Sequence, residues 1–218
     1  MKTLFIEAKA RINVNRLIDK IKFPERVALV SSVQFLENLQ DIKVYLEKKG
    51  KKVYIAGQVL GCNVVNTLKF ADKIDAFLFI GSRGFHPVEI ARITKKLVIV
   101  LNPITNEISQ IKKDEVESIE KKKKGSLLRY LNSKKVGILV TIKPGQENIA
   151  LAKLLKEKIK DKETYLFVGN ELTENDLINF SGIESWINTA CSRIEINRVV
   201  NFEEIANYIN KSLSLKGE

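Results

Sequence analysis

Two kinds of hydrophobic pattern alternate along this chain. Short, near-continuous apolar runs of about five to seven residues are followed by segments in which apolar residues recur every three or four positions. "TLFIEA" (3–8), "VALVSS" (27–32), "KVYIA" (52–56), "AFLFI" (76–80) and "LVIVLNP" (97–103) read as strands. "VNRLIDKI" places Val14, Leu17, Ile18 and Ile21 on one helical face. The segment after "VALVSS" carries Phe35, Leu36, Leu39, Ile42, Val44, Tyr45 and Leu46 at near-helical spacing, with Gly50 as its stop. A helix is predicted after Cys62 through "VVNTLKFA", and a short one at "VEIARIT".

The pattern breaks at "IKKDEVESIEKKKKG" (111–125), which is dense in charge and has only three apolar residues. Beyond it the alternation restarts: helix "SLLRYLNS", strand "VGILVT", loop "IKPGQ", helix "ENIALAKLLKEKI", strand "TYLFVG", a helical stretch from about Thr173, strand "SWINTA" and a last helix "FEEIANYINKSL". Strands alternating with helices imply βαβ units and parallel pairing. Near-continuous apolarity implies sheets covered on both faces. The fold class is therefore α/β, with two small doubly wound domains, each a mostly parallel sheet flanked by helices. The boundaries are set at 1–112, a charged linker or exposed helix at 113–125, and 126–218. In such sheets ligands bind beyond the carboxyl ends of the strands. The segments "SSVQ", "GSRGFHP", "TIKPGQ" and "NTACSR" all fall there.

Composition changes the picture only in part. The formal charge is +11, from 37 Lys and Arg against 26 Asp and Glu. The basic residues are spread along the chain and mixed with Glu, as on solvated helix faces, and no interleaved aromatic motif accompanies them. Direct nucleic-acid binding is not expected. No apolar run approaches the roughly twenty residues of a membrane span, and the N-terminus lacks a cleavage site, so the chain reads as cytoplasmic. Its two cysteines, Cys62 and Cys191, lie in different domains and neither forms a CxxC pair, which excludes zinc-ribbon and thioredoxin readings. Thiols in that compartment stay reduced, so a structural disulfide is not expected. Taken singly, each cysteine reads as a small buried apolar residue.

Other candidates are weak alone. "VTIKPGQEN" sets Lys143, Gly145 and Gln146 between a strand and a helix, where amides and a cation suit a carboxylate or phosphate. The P-loop spacing is absent, and the Pro-Gly turn is also explained by loop geometry. His86, the only histidine, stands between Phe85 and Pro87, as a general base or ligand or as a structural residue beside a turn. No Ser/His/Asp order or paired carboxylate supports a hydrolase. Trp186 reads as a filler of the second core.

Together, "ALVSSVQFL", "GQVLGCN", "DAFLFIGSRGFHP", "VGILVTIKPGQ" and "ESWINTACSRI" resemble, in that order, the archaeal diphthamide synthase subunit family, the 2-(3-amino-3-carboxypropyl)histidine synthases. The resemblance covers nearly the whole chain. It implies a protein of three similar domains, each giving one cysteine to a central [4Fe-4S] cluster whose open iron holds S-adenosylmethionine. Reductive cleavage yields a 3-amino-3-carboxypropyl radical that adds to a histidine of translation elongation factor 2, leaving methylthioadenosine. On this resemblance Cys62 and Cys191 are metal ligands. Lys143, Gly145, Gln146 and Arg193, with Gln34 more peripherally, orient the methionine end of the cofactor.

The departures are equally specific. The family's first domain, with its cysteine, is missing from this chain on the same comparison. Ser192 stands where proline is usual, and "EIN" (195–197) lacks the acidic residues usual beyond it. Two cysteines cannot supply a three-cysteine site. Three readings follow: a split synthase whose first domain and third thiolate come from a separate polypeptide; a non-catalytic subunit that scaffolds an active partner or docks elongation factor 2; or a small-anion binding module with inert cysteines. A homo- or hetero-oligomer is expected for the first two.

Overall fold

The structure is a computed structural model and describes residues 4, 8–60, 63–194 and 196–214. Most of the expected first strand, 3–8, lies outside those residues. The chain divides into two compact units, Met1–Ser118 and Ile119–Glu218.

The first unit runs α1 (Asn15–Ile18), β1 (Arg26–Ser31), α2 (Leu39–Lys48), β2 (Lys52–Gln58), α3 (Val65–Leu68), β3 (Ala76–Ile80), α4 (Phe85–Thr94), β4 (Leu97–Asn102) and β5 (Glu107–Gln110). Its sheet has the order β2-β1-β3-β4-β5, with β5 alone antiparallel. Successive strand residues point to opposite faces, so a strand buried along its length needs cover on both. Val27, Leu29, Leu78, Ile80, Ile99 and Leu101 pack on one face beneath Phe35, Leu39, Ile42 and Leu46. Phe77, Phe79, Val98 and Val100 fill the other, with Ile90 and Ala91 of α4 also buried.

Helix α5 (Lys113–Asn132) crosses the division between the units. The second unit continues with β6 (Lys135–Thr141), α6 (Ile149–Lys158), β7 (Glu163–Gly169), α7 (Glu174–Ile178), β8 (Ser185–Asn188), β9 (Val199–Asn201) and α8 (Phe202–Ser214). Its sheet, β7-β6-β8-β9, is parallel throughout. Val136, Ile138, Val140, Ile187 and Val200 meet Tyr130, Ala152, Leu155, Ile205 and Ile209 on one face. Leu139, Trp186 and Val199 meet Leu177 and Ile183 on the other. The four parallel strands of each unit thus follow one doubly wound order, 2-1-3-4.

Several sequence expectations change in detail. The charged stretch 113–125 and the helix expected at 126–133 are one helix, α5. No proline interrupts the run, and Lys113 pairs with Glu117 one turn on (3.5 Å). The segment after β1 starts as a 3-10 turn, Val33–Asn38, before α2. The helices expected at 14–21 and after Cys62 through 71 shrink to single turns, and α7 is five residues fixed by a Thr173–Asp176 capping box. Strands β5 and β9 were not expected, being too short for a period-two pattern to register. Among the described residues, no helix is long and apolar enough to cross a membrane.

Candidate functional site

Buried polar side chains are unevenly placed. Ser31, Thr141, Asn188 and Asn201 stand at the last positions of β1, β6, β8 and β9, with Thr189 one residue past β8. Buried hydroxyls and amides at strand ends are as a rule satisfied locally; Ser31 Oγ is an exception, with no hydrogen-bond partner among the described residues. At the carboxyl edge of the second sheet these groups build the loops.

Strands β6 and β8 are neighbours but not consecutive, so the chain reverses its winding between them. This is the switch point where doubly wound sheets bind ligands. The loop after β6 carries Lys143, Gly145 and Gln146; the loop after β8 carries Cys191 and Arg193. Thr189 ties the second loop to the first strand: its N–H and hydroxyl both donate to the Leu139 carbonyl, at 3.2 and 2.7 Å. Thr141 Oγ1 donates to Asn170 O (2.9 Å) and accepts the Lys143 N–H (3.2 Å).

The Cys191 loop is fastened by asparagines. Asn188 Nδ2 donates to Cys191 O and to Asn201 Oδ1, both at 2.8 Å. Asn188 Oδ1 accepts the Ala190 N–H (2.9 Å), and Asn201 Nδ2 donates to Ser192 O (3.0 Å). Cys191 is half-buried and free of any disulfide. Arg193, two residues on, is exposed. Asn188 and Asn201 were missed at the sequence level; the available signal was a polar residue closing each of two apolar runs.

In the β6 loop the cation is already engaged. Lys143 Nζ donates to Glu171 Oε1 at 2.7 Å, and this bond holds the Glu171 carboxyl below its ordinary range. The Gln146 N–H donates to Lys143 O (3.0 Å), closing a turn in which Gly145 adopts φ +79°, the left-handed region glycine tolerates. Asn148 caps α6, its side chain accepting the Leu151 N–H (3.2 Å). The amides read from sequence as free donors are thus partly spent within the loop. Lys143 would meet a ligand carboxylate by exchanging it for Glu171.

In the first unit, Gln34 lies half-buried in the 3-10 turn after β1, its carbonyl accepting the Ala10 N–H (2.8 Å). Cys62 lies outside the described residues. The flanking residues Gln58, Leu60, Asn63, Val65, Asn66 and Lys69 line an open cavity of about 380 Å³. Asn66 Nδ2 donates to both Ala56 O and Gln58 O at 2.7 Å. His86 belongs to the first turn of α4, its ring 3.8 Å from that of Phe85 and 6.0 Å from that of Phe79. Among the described residues, no three of His, Cys, Asp or Glu converge to hold a metal ion.

Comparisons with known proteins point to one family. The model of the diphthamide synthesis proteins matches residues 1–205. The chain belongs to that family. It is 31% identical over 211 residues to 2-(3-amino-3-carboxypropyl)histidine synthase of Pyrococcus horikoshii, covering 89% of this chain and 60% of that protein. It is 25% identical to the Methanocaldococcus jannaschii synthase, covering 94% and 59%. Subunit 1 of the Yarrowia lipolytica synthase is also 25% identical, with 90% of this chain and 48% of the relative covered. This diphthamide-family chain therefore spans about half to three-fifths of the length of these relatives. The crystal structure of Dph2 from Pyrococcus horikoshii superposes with a TM-score of 0.73 at 28% identity, covering 93% of this chain and 64% of that one. The same protein with a 4Fe-4S cluster gives 0.70.

Proposed function

We propose that this chain is part of the enzyme for the first step of diphthamide biosynthesis. That enzyme transfers a 3-amino-3-carboxypropyl group from S-adenosylmethionine to a histidine of translation elongation factor 2. The observation that carries the reading is the likeness of nearly the whole chain to a Dph2 that was crystallised with a 4Fe-4S cluster. The assignment of Cys62 and Cys191 as two cluster ligands rests on the sequence resemblance. It is supported in the second unit by a half-buried, disulfide-free thiol on a firmly held loop at the switch point.

The described residues fit such a cluster as contributors, not as a full set. Thiolates are the donors iron–sulfur clusters take. Cys191 is the only cysteine among the described residues, and no group of three His, Cys, Asp or Glu gathers among them. The third thiolate would come from outside these 218 residues, as a further segment or a partner chain. When bound, a reduced cluster with one open iron supplies the electron that cleaves the sulfonium. This chain's residues then have separate tasks. The 189–194 loop would hold the Cys191 thiolate in one direction. Lys143 and Arg193 would take the methionyl carboxylate in charge-assisted hydrogen bonds, with Gln146 as a polar partner. Gly145 would keep the turn narrow.

The test is anaerobic reconstitution with ferrous iron and sulfide. The chain is examined alone and together with a polypeptide carrying the segment by which its relatives exceed it. Iron retention and methylthioadenosine release are expected only in the pair, and Cys62→Ala or Cys191→Ala should abolish both. A pair that binds iron equally well after either substitution would refute the ligand assignment. A pair that retains iron without cleaving S-adenosylmethionine would favour the non-catalytic docking subunit.

A further inference from the structure

The loop bearing Cys191 is held by more side-chain bonds than a surface turn needs. Asn188 is 2% exposed and Asn201 9%, and between them they fasten three of the peptide groups around the cysteine. Asn188 Oδ1 takes the N–H of Ala190, Asn188 Nδ2 takes the carbonyl of Cys191, and Asn201 Nδ2 takes the carbonyl of Ser192. The two amides also bond each other through Asn188 Nδ2 and Asn201 Oδ1. Both hydrogens of Asn188 Nδ2 are therefore used. The Ile194 N–H closes the turn on Cys191 O at 3.1 Å. The clasp is anchored on two adjacent strands, since Asn188 pairs with Asn201 in the β8–β9 register.

We propose that Asn188 and Asn201 are positioning residues that fix the backbone from which Cys191 offers its thiolate to the cluster. This rests on the reading of Cys191 as a ligand and deepens it. The residue type fits the task. A primary amide is donor and acceptor on one short planar group, so it can grip an N–H and a carbonyl at once. It carries no charge, so it adds no anionic competitor beside the thiolate. Aspartate would lack the donor, and glutamine would be a methylene too long. The first unit uses the same means: Asn66 clamps two carbonyls of the segment that precedes positions 61 and 62 in the chain. Pre-set ligand direction is what second-layer hydrogen bonds supply at metal centres.

The test uses the full chain carrying Cys62→Ser, so that Cys191 is the single thiol, and needs no cluster. Two readouts are taken: the rate of Cys191 alkylation by iodoacetamide, and hydrogen exchange of the Ile194 amide. Asn188→Ala and Asn201→Ala should each speed Ile194 exchange by about tenfold, as local opening becomes easier, and change the alkylation rate. Asn188→Asp fills the same space without the two donated bonds and should behave like Asn188→Ala. Leu155→Ala lowers stability from the core below and serves as the control, leaving both readouts at the wild-type level. Wild-type exchange and alkylation in both alanine variants would overturn the proposal. So would rescue by Asn188→Asp, which would mark a role in packing alone, or an equal response in Leu155→Ala. The ligand reading fails on a different observation, full iron retention by Cys191→Ala.

Discussion

Gly137→Ala is the substitution whose effect follows most directly from the geometry. Gly137 on β6 pairs in register with Trp186 on β8, and the indole lies across the space a side chain at 137 would fill. A Cβ there would stand 2.2 and 2.3 Å from two ring carbons, more than 1 Å inside ordinary contact. The ring is 2% exposed and backed by Phe167 and Phe180, with centroids 4.7 and 6.2 Å away at steep angles, so it has no room to retreat. Overpacking of this kind costs about 1–3 kcal/mol, and the double overlap places it near about 3. Removing a glycine from the unfolded chain returns about 0.5 kcal/mol, leaving a net loss of about 2.5. Urea unfolding followed by far-UV circular dichroism should show the midpoint falling by about 1 M. Because two units can unfold separately, amide exchange over β6 and β8 assigns the loss to the second. Trp186→Ala alone should cost about 3–5 kcal/mol. Adding Gly137→Ala to it should then be neutral, a coupling of more than about 2 kcal/mol. An unchanged midpoint, or a loss as large in the Trp186→Ala background, would refute the argument.

Tyr130 supplies a pH test. Burial, with the Asp161 charge adding to it, pushes its phenol up to about 12. A folded value above the unfolded value of about 10 means stability present below pH 10 and lost as pH rises toward 12; Tyr130→Phe should remove that part of the alkaline decline in unfolding midpoints. At the acid end, the hydrogen bond from Arg26 holds the Asp75 carboxyl below its ordinary range. Its contribution is present above the unfolded pKa of about 3.9 and lost as pH falls through the folded value, so Asp75→Asn should flatten the acid limb. Asn148→Ala removes the α6 cap and should lower stability by about 1 kcal/mol in the same assay. Lys143→Ala breaks an exposed pair and should leave the unfolding midpoint in place, while raising the KM for S-adenosylmethionine of the assembled enzyme about tenfold, one charge-assisted bond's worth.

The alternation of apolar runs and helical faces made the α/β class readable, because strands covered on both sides announce themselves as unbroken hydrophobic stretches. It failed where elements are short. Strands β5 and β9 are four and three residues long, and α7 depends on a capping box more than on periodicity. The stretch 113–125 read as a charged linker or an exposed helix, and it is the helical alternative, continuous with the next predicted helix, that forms. At the site, sequence picked out the cysteines and the loop residues Lys143, Gly145, Gln146 and Arg193, but passed over Asn188 and Asn201, which fasten the Cys191 loop. A hydrogen bond from Asn201 to Ser192 joins positions on different elements, and only the fold brings them together. The Lys143–Glu171 pair escaped for the same reason.

The shared strand order also bears on how the two cysteines are related. If the units were copies that each kept one inherited ligand position, both cysteines would follow the same strand of the 2-1-3-4 order. They do not: Cys62 follows β2, the second strand of its unit, whereas Cys191 follows β8, the third. The proposed ligand pair is therefore not a repeated loop. On the proposed ligand reading, each loop would hold its own thiol without help from a matching loop in the other unit. In the second unit the Asn188 and Asn201 bonds give the 189–194 loop that independence, since they close within that unit.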